Sequence, residues 1–331
     1  MSLEKIRWGV IGAGNVFEFK SGPALYKTPH SELVAVMRTS EQKAQDVATR
    51  HGAKRWYTDA ASLVNDPDVN AVYIASPHYL HPEHVALAAR AKKIVFSEKP
   101  LGVTTAQAQT CVDACKENGV SLTIAYYRRF WAITQAVKKI LHEGAIGRVV
   151  QARIGVSDWF AGDNERTWLL SREKSGGDAL ANVGAHWIDL VRYLLGEPRE
   201  VVALTSSAAS GFETDDTVGV DMRLDNNALV SLLVTRRTPI STNEFDIFGT
   251  EGCIRVSSLV DGKLILYRKG HDPEPMQFAR IGVMHSELVA ALVPSLLKGE
   301  PSPLPGEEAV AVWRVMQAAY HSAETGTQEK I

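Results

Sequence analysis

The sequence predicts two joined domains of different class: an α/β doubly wound domain over residues 1–125 and an α+β domain with a mostly antiparallel sheet over residues 126–331. Three observations predict this. The chain has 331 residues, and roughly 150 residues per domain asks for about two domains. Up to Ala125, short β-branched runs alternate with helical patterns, the signature of βαβ units. After Tyr126, strand-like runs follow one another with turns between them and no intervening helices.

In the first domain, Ile6–Ile11, Leu33–Met37, Ala71–Ala75, Ile94–Ser97 and Ser121–Ala125 read as strands. Most are apolar throughout, as strands covered by helices on both faces should be. Between them, Ser40–His51, Pro82–Lys92 and Thr104–Asn118 read as helices, the second with proline in its first turn and the third closed by Gly119. In the second domain an amphipathic helix over about 131–143 leads to a strand at Arg148–Ser157 and a polar loop through Asp163. A helix over Leu180–Leu195 precedes strands at Val201–Ser207, Thr217–Leu224, Ala228–Arg236, Glu244–Phe248, Cys253–Ser257 and Lys263–Tyr267. Asp225–Asn227 and Gly249–Gly252 have the composition of hairpin turns. Helices at His285–Lys298 and Gly306–Ala323 close the chain, free to pack back on the first domain.

Composition narrows the function. Lys plus Arg number 36 against 38 for Asp plus Glu, a net charge of −2, which does not make the basic surface that nucleic acid or an anionic membrane selects. No uncharged apolar run approaches the ~18 residues of a membrane span. The first strand reaches its glycine turn too early for a secretory leader. Three cysteines, two of them four apart on one helix, read as buried thiols in a reducing compartment. A soluble cytoplasmic protein is expected.

The first strand runs into Gly12-Ala13-Gly14-Asn15-Val16. Gly12 permits the tight turn, and Gly14 lets a pyrophosphate reach the amides that open the next helix, so Gly12, Gly14, Asn15 and Val16 are expected to bind a dinucleotide. The third glycine of the usual fingerprint is Phe17 here. The second strand ends Met37-Arg38-Thr39-Ser40, without the carboxylate that usually takes a free ribose 2′-hydroxyl. Arg38 can fork to a 2′-phosphate with Thr39, Ser40 and Lys43 as auxiliary donors, so NADP(H) is expected over NAD(H). The alternative is a solvated strand-end arginine.

Two further segments follow strands of this sheet, where ligands of open α/β folds bind. They are Ala75-Ser76-Pro77-His78 continuing to His81, and Ser97-Glu98-Lys99-Pro100. Ser76, Pro77, His81, Glu98 and Lys99 join the expected cofactor site. Lys99 beside a cationic nicotinamide is the candidate proton carrier. His78, His81 and His84 lack the companions of a metal site, and none is expected. In the second domain, Asn182, His186 and Asp189 recur at i, i+4 and i+7 on one helical face, opposite Val183, Trp187, Leu190, Val191 and Leu194. His186 is therefore a candidate proton relay, the alternative being a satisfied structural histidine.

Taken in order, the glycine turn, Glu98-Lys99-Pro100, Ala125-Tyr126-Tyr127-Arg128-Arg129 and Gly176–Asp189 resemble the family of glucose–fructose oxidoreductase, inositol dehydrogenase and the MocA proteins (Gfo/Idh/MocA), along essentially the whole chain. The resemblance implies a Rossmann domain joined to an open-faced, mostly antiparallel sheet, a nicotinamide lying between them, and a sheet that serves in homodimers or homotetramers. It implies hydride transfer at a carbinol carbon of a sugar, inositol or related polyol. Lys99 matches the family's catalytic lysine, and His186 the histidine that exchanges the substrate's hydroxyl proton. Asn182 stands where many members have aspartate, and an amide cannot pass a proton. Asp178, after two glycines, reads as an N-cap or as compensation for that change. Tyr127, Arg128, Trp168 and Arg172 are expected walls of the substrate site, with Asn182 and His186. A cofactor-recycling glycosidase or epimerase of the same family, or a non-catalytic sugar or dinucleotide sensor, is the alternative.

Overall fold

The computed structural model describes residues 3–162 and 166–331, so the loop expected through Asp163 ends outside the described residues. The chain opens with β1 (Ile6–Ile11), a π-helical turn over Phe17–Ser21 and α1 (Gly22–Lys27). Next come β2 (Ser31–Met37), α2 (Glu41–His51), β3 (Arg55–Tyr57), α3 (Ala60–Val64), β4 (Ala71–Ile74), α4 (His81–Arg90), β5 (Ile94–Ser97), α5 (Thr105–Asn118) and β6 (Leu122–Ile124). The middle of the chain holds α6 (Ala132–His142), β7 (Val149–Trp159), α7 (Arg172–Ser175), a second π-helical turn over Ala179–Gly184 and α8 (Ala185–Leu194). Strands β8 (Pro198–Ser206), β9 (Thr217–Leu224), β10 (Leu229–Thr235), β11 (Arg237–Gly249), β12 (Gly252–Ser258), β13 (Lys263–Arg268) and β14 (Glu274–Gln277) follow. Helices α9 (Ser286–Lys298) and α10 (Glu307–Thr325) and the two-residue β15 (Glu329–Lys330) end the chain. Among the described residues no helix is long and apolar enough to cross a membrane.

Two compact units result: residues 1–127 with 283–311, and residues 128–282 with 312–331. The first unit is a parallel six-stranded sheet in the order β3-β2-β1-β4-β5-β6. All four residues of β4 are buried, as are Trp8, Val10 and Ile11 of β1, because helices cover both faces. From β1 the chain winds outward through β2 and β3, then returns to β4 on the other side. The carboxyl ends of β1 and β4 therefore flank the switch point at which such sheets bind ligands. Helix α9 joins this unit, packing against β1 and α1.

The second unit is built on a nine-stranded sheet, β14-β13-β12-β11-β7-β10-β9-β8-β15, antiparallel except for the β7–β10 pair. One face carries the core: Ile154, Val156, Val220, Leu232 and Phe245 are buried, and Trp187 of α8 meets Phe245 edge-on at 5.7 Å. β10 is shorter than the expected Ala228–Arg236 and is buried on one side only within the chain. Val230, Leu232 and Val234 are buried, whereas Leu229 and Leu233 point to the uncovered face and are exposed.

The helix expected over Leu180–Leu195 is also different. Its first part is the wide π turn, and only Ala185–Leu194 is regular α-helix. Every residue from Gly184 to Val191 is buried, so the supposed polar face is an interior one. Asp189 lies on it as a structural anion: Arg129 Nε and Nη2 grip its two oxygens at 2.6–3.0 Å, away from solvent.

Candidate functional site

The functional residues of the first unit gather at the carboxyl edge of its sheet. At the end of β1, Gly12 adopts φ +82, and a β-carbon there would meet the Ser76 nitrogen at 2.6 Å, so only glycine lets the β1 turn lie on the loop after β4. The amides of Gly12 and Ala13 donate to the Met37 carbonyl at 3.2 and 3.1 Å, joining this turn to the end of β2. The first helical closure onto the turn is Glu18 N–H to Gly14 O at 2.9 Å, which leaves the preceding amides as a first turn facing the glycines. Phe17 fills the place of the third fingerprint glycine. It is fully buried against His51, and the backbone widens into a π turn around its bulk. A dinucleotide pyrophosphate fits this cradle, because Gly14 contributes no side chain to it and its nearest side-chain neighbour is Arg38.

Arg38 crosses the glycine turn at the end of β2. Its Nη1 donates to Ala13 O at 3.2 Å and lies 4.0 Å from Glu18 Oε1, while Arg50 Nη1 reaches Glu18 Oε2 at 2.5 Å. The Ser40 hydroxyl caps α2 by accepting the Lys43 amide.

Loops after β4 and β5 are fastened by His81, whose ring is fully buried. One ring nitrogen meets Ser76 O at 2.8 Å and the other meets Pro100 O at 2.9 Å. Burial pushes the ring down to about 4, against the pull of those two carbonyls, so it stays neutral. His81, expected on the cofactor itself, instead ties the Ser76 and Pro100 segments together, because no ring edge is left to reach a ligand. Ser76 Oγ in turn meets His84 Nδ1 at 2.9 Å.

Glu98 and Lys99 follow β5. Glu98 Oε1 accepts the Tyr73 hydroxyl at 2.7 Å and His285 Nε2 at 2.6 Å, and Oε2 takes the Lys99 amide at 3.3 Å. Burial alone would raise the Glu98 carboxyl. The His285 ring beside it, the Lys99 charge and the Tyr73 hydroxyl outweigh that and hold it at about 2. Glu98, expected as a cofactor ligand, is thereby an anchored anion beneath Lys99. Tyr127 belongs to this cluster, its ring 4.3 Å from that of His285. His285 lies at the N-terminus of α9, 187 residues from Glu98, and no short motif could have signalled it.

In the second unit, Asn182 Nδ2 donates to Asp178 Oδ1 at 3.2 Å. That same oxygen is held by Arg236 Nη1, and Arg236 Nε reaches Asp158 at 3.1 Å. Asp178 and Arg236 are both buried. Burial raises the Asp178 carboxyl above its ordinary value even against Arg236. Asp178 is no N-cap, since its side chain accepts no backbone amide of the turn it precedes. That duty falls to Asp215, which takes the Asp178 and Leu180 amides at 3.1 and 2.7 Å and the Tyr320 hydroxyl at 2.9 Å. Gly177, at φ +133, passes so close to Tyr320 and Asp215 that no side chain fits. A carboxylate thus stands one turn before Asn182 and accepts its amide.

His186 is buried two turns along the same helix. Arg128 stacks over Trp187 at 5.0 Å and Trp131 at 5.9 Å. Arg172 is exposed over Tyr320 and 3.6 Å from Glu324, and Trp168 sits half-buried in a 3₁₀ turn over Thr167–Leu170. The structure therefore ties Asn182 to Asp178 and sets Arg128 on the residue after His186. It connects Arg172 to the helix start through Tyr320 and Asp215.

Comparison with known proteins gives two family matches. Residues 6–126 match the oxidoreductase family with the NAD-binding Rossmann fold, and residues 134–255 match the GFO/IDH/MocA C-terminal domain. The chain is similar to oxidoreductase P35 of Formosa agariphila, 39% identical over 201 residues that span 60% of this chain and 63% of that one, less than two thirds of its length. It is also similar to the 1,5-anhydro-D-fructose reductase of Ensifer adhaerens, 33% identical over 250 residues, 75% of this chain and 74% of the other. Among solved structures, a levoglucosan dehydrogenase in complex with NADH and levoglucosan superposes with a TM-score of 0.89 at 23% identity, over 99% of each chain, a likeness of fold.

Proposed function

The chain belongs to the Gfo/Idh/MocA oxidoreductase family, and on that premise we propose that it transfers a hydride between a nicotinamide dinucleotide and a carbinol or carbonyl carbon of a sugar or related polyol, with Lys99 and His186 handling the hydroxyl proton. One observation carries the reading: Lys99 stands at the carboxyl end of β5, in the sheet whose β1 turn has the glycine cradle, with its amide fixed on an anchored Glu98. The sugar class is supported by relatives that act on 1,5-anhydro-D-fructose and levoglucosan.

When bound, the dinucleotide supplies the hydride donor or acceptor. The protein's part is to hold it and move a proton. Gly12, Gly14, Asn15 and Val16 take the pyrophosphate at the opening of the helix, and Ser76 and Pro77 line its path along the switch point. Lys99 Nζ gives or takes the hydroxyl proton as charge develops on the substrate oxygen. His186 exchanges the proton or orients the hydroxyl. Asn182, whose amide also holds Asp178, donates a hydrogen bond to a substrate oxygen. Tyr127, Arg128, Trp168 and Arg172 are the proposed walls of the substrate site. A screen of aldoses, ketoses, anhydrosugars and polyols with both dinucleotides, read at the nicotinamide absorbance band, tests the function. Absence of any substrate across that set would contradict it.

We further propose NADP(H) over NAD(H). Support comes from the position of Arg38 across the glycine turn and the lack of a carboxylate at the end of β2. Losing a charge-assisted fork is worth about 1.5–3 kcal/mol, or roughly 10- to 150-fold. Arg38→Ala is expected to weaken NADP(H) by that factor and leave NAD(H) nearly unchanged in calorimetric titrations. Equal affinities in the wild type would overturn the preference.

A homodimer or homotetramer through the second unit's sheet is the proposed assembly. Its support is the row formed by Leu204, Gly219, Leu233 and Gly155 across β8, β9, β10 and β7, in which leucines 74% and 64% exposed alternate with glycines. Light scattering should give a multiple of the chain mass at micromolar concentration, and Leu233→Lys should return the monomer. A wild-type monomer would contradict the assignment. A reducing, cytoplasmic setting is supported by the free thiols of Cys111 and Cys115, which burial pushes up to about 12.

A further inference from the structure

Around Arg38 stand charges that a fork to a 2′-phosphate does not need. The guanidinium lies over the glycine turn: Nη1 donates to Ala13 O at 3.2 Å, and a β-carbon on Gly14 would meet the same nitrogen at 3.6 Å. Glu18, in the π turn that begins at Phe17, brings Oε1 to 4.0 Å from that nitrogen. Its Oε2 accepts from Arg50 Nη1 of α2 at 2.5 Å, and Arg50 Nε and Nη2 donate to Asp46 at 2.9 and 2.7 Å. The Glu18 and Arg38 side chains are only 14% and 16% exposed, so salt screens this pair less than an open surface pair. An acid in a first helical turn needs no such partners, because the helix start already favours negative charge. Glu18 is instead clamped with one oxygen toward each arginine.

We propose that Glu18 is a specificity-determining residue for the dinucleotide: its carboxylate competes with a 2′-phosphate for Arg38 and so limits the preference for NADP(H) over NAD(H). The inference rests on the reading of Arg38 as the 2′-phosphate ligand and assigns the group that opposes it. A 2′-phosphate carries about two negative charges at neutral pH, and the guanidinium that would receive it already has a carboxylate oxygen 4.0 Å away. Phosphate and carboxylate repel each other and divide the attraction of one cation. A 2′-hydroxyl brings no charge, so Glu18 opposes NADP(H) and is indifferent to NAD(H). Arg50 moderates the effect, because it holds the other oxygen of Glu18 and offsets its charge. Asp46 binds the other edge of Arg50 and is itself exposed.

Calorimetric titration of NADP⁺ and NAD⁺ into the intact protein, at one low ionic strength, reads both affinities and needs no substrate. Glu18→Gln keeps the shape and an acceptor for Arg50 while removing the charge. NADP⁺ should then bind about 5-fold more tightly, the weight of one neighbouring charge near water, and NAD⁺ should change by less than about 2-fold. In an Arg38→Ala background the same substitution should change NADP⁺ affinity by less than about 2-fold, because the carboxylate acts through the guanidinium. Asp46→Asn makes the same charge change beyond Arg50 and should leave the ratio of the two affinities within about 2-fold of wild type. Arg50→Gln leaves Glu18 to Arg38 and should weaken NADP⁺. It keeps the test open if Glu18→Gln does not fold, a defect its thermal unfolding would reveal. The proposal is overturned by any of four results: NADP⁺ affinity within about 2-fold of wild type in folded Glu18→Gln, equal tightening of NAD⁺, an equal gain from Asp46→Asn or in the Arg38→Ala background, or tighter NADP⁺ binding in Arg50→Gln. The Arg38 reading fails separately, when Arg38→Ala alone leaves NADP⁺ affinity unaltered.

Discussion

Lys99→Ala is expected to lower turnover on a verified sugar substrate by roughly 10²- to 10⁴-fold, about 3–5 kcal/mol of barrier, while dinucleotide affinity stays nearly intact. The separation follows from where the residue stands. The glycine turn and Arg38, at the ends of β1 and β2, are fastened to each other through the Met37 and Ala13 carbonyls. Lys99 follows β5, and its removal disturbs none of those bonds. His186→Ala should cost less if the ring relays or orients, and Asn182→Ala least. Asn182→Asp should weaken substrate binding rather than raise activity, because Asp178 already holds a carboxylate against that side chain. A second one would repel it and could not donate to the substrate. Steady-state kinetics with parallel dinucleotide titration decide the matter. Full turnover in Lys99→Ala would remove the assignment.

The second large effect is on stability. Arg236 is buried between Asp178 and Asp158, stacked on Phe160 at 4.6 Å. Arg236→Met leaves Asp178 buried without the guanidinium bonded to it, and breaking one side of such a pair costs about 3–5 kcal/mol. Urea unfolding followed by tryptophan fluorescence should show that loss at neutral pH. The pH dependence has a definite sign. Burial already raises the folded-state value of Asp178, and losing the guanidinium raises it further. The folded state then binds the proton more tightly than the unfolded chain, so the deficit of the variant shrinks as pH falls through the folded value. A double variant with Asp178→Asn should recover part of the stability. A deficit below about 1 kcal/mol at neutral pH would show that Arg236 does not neutralise this site.

Much of this architecture is legible in the sequence because it depends on local pattern. β1 and β5 emerge at their expected limits since each is a short apolar run bounded by polar or glycine residues. Gly119 at φ +65 closes α5 as its position suggests. The unforeseen elements lack that signal. β3, β14 and β15 are two to four residues long and nowhere buried, and each is a strand only because a neighbouring strand offers it hydrogen bonds. The π turns are also silent: apolar periodicity cannot tell Ala179–Gly184 from a regular helix, so Asp189 was projected onto a polar face that is in fact interior. At the site, residues close to a motif were found and their long-range partners were not. Glu98 needs His285, Asp178 needs Arg236 and Asp189 needs Arg129, pairs separated by 187, 58 and 60 residues. Those distances are set by tertiary folding.

The central claim, that the chain carries a hydride rather than recycling or merely sensing a dinucleotide, is tested most directly by stoichiometry. Enzyme, excess sugar and a measured amount of dinucleotide are brought to completion, with nicotinamide absorbance and sugar product quantified together. Hydride transfer predicts one dinucleotide converted for every sugar oxidised or reduced, with Lys99→Ala reaching the same ratio roughly 10²- to 10⁴-fold more slowly. Sugar consumed many times over against a dinucleotide that remains bound and unchanged would contradict it.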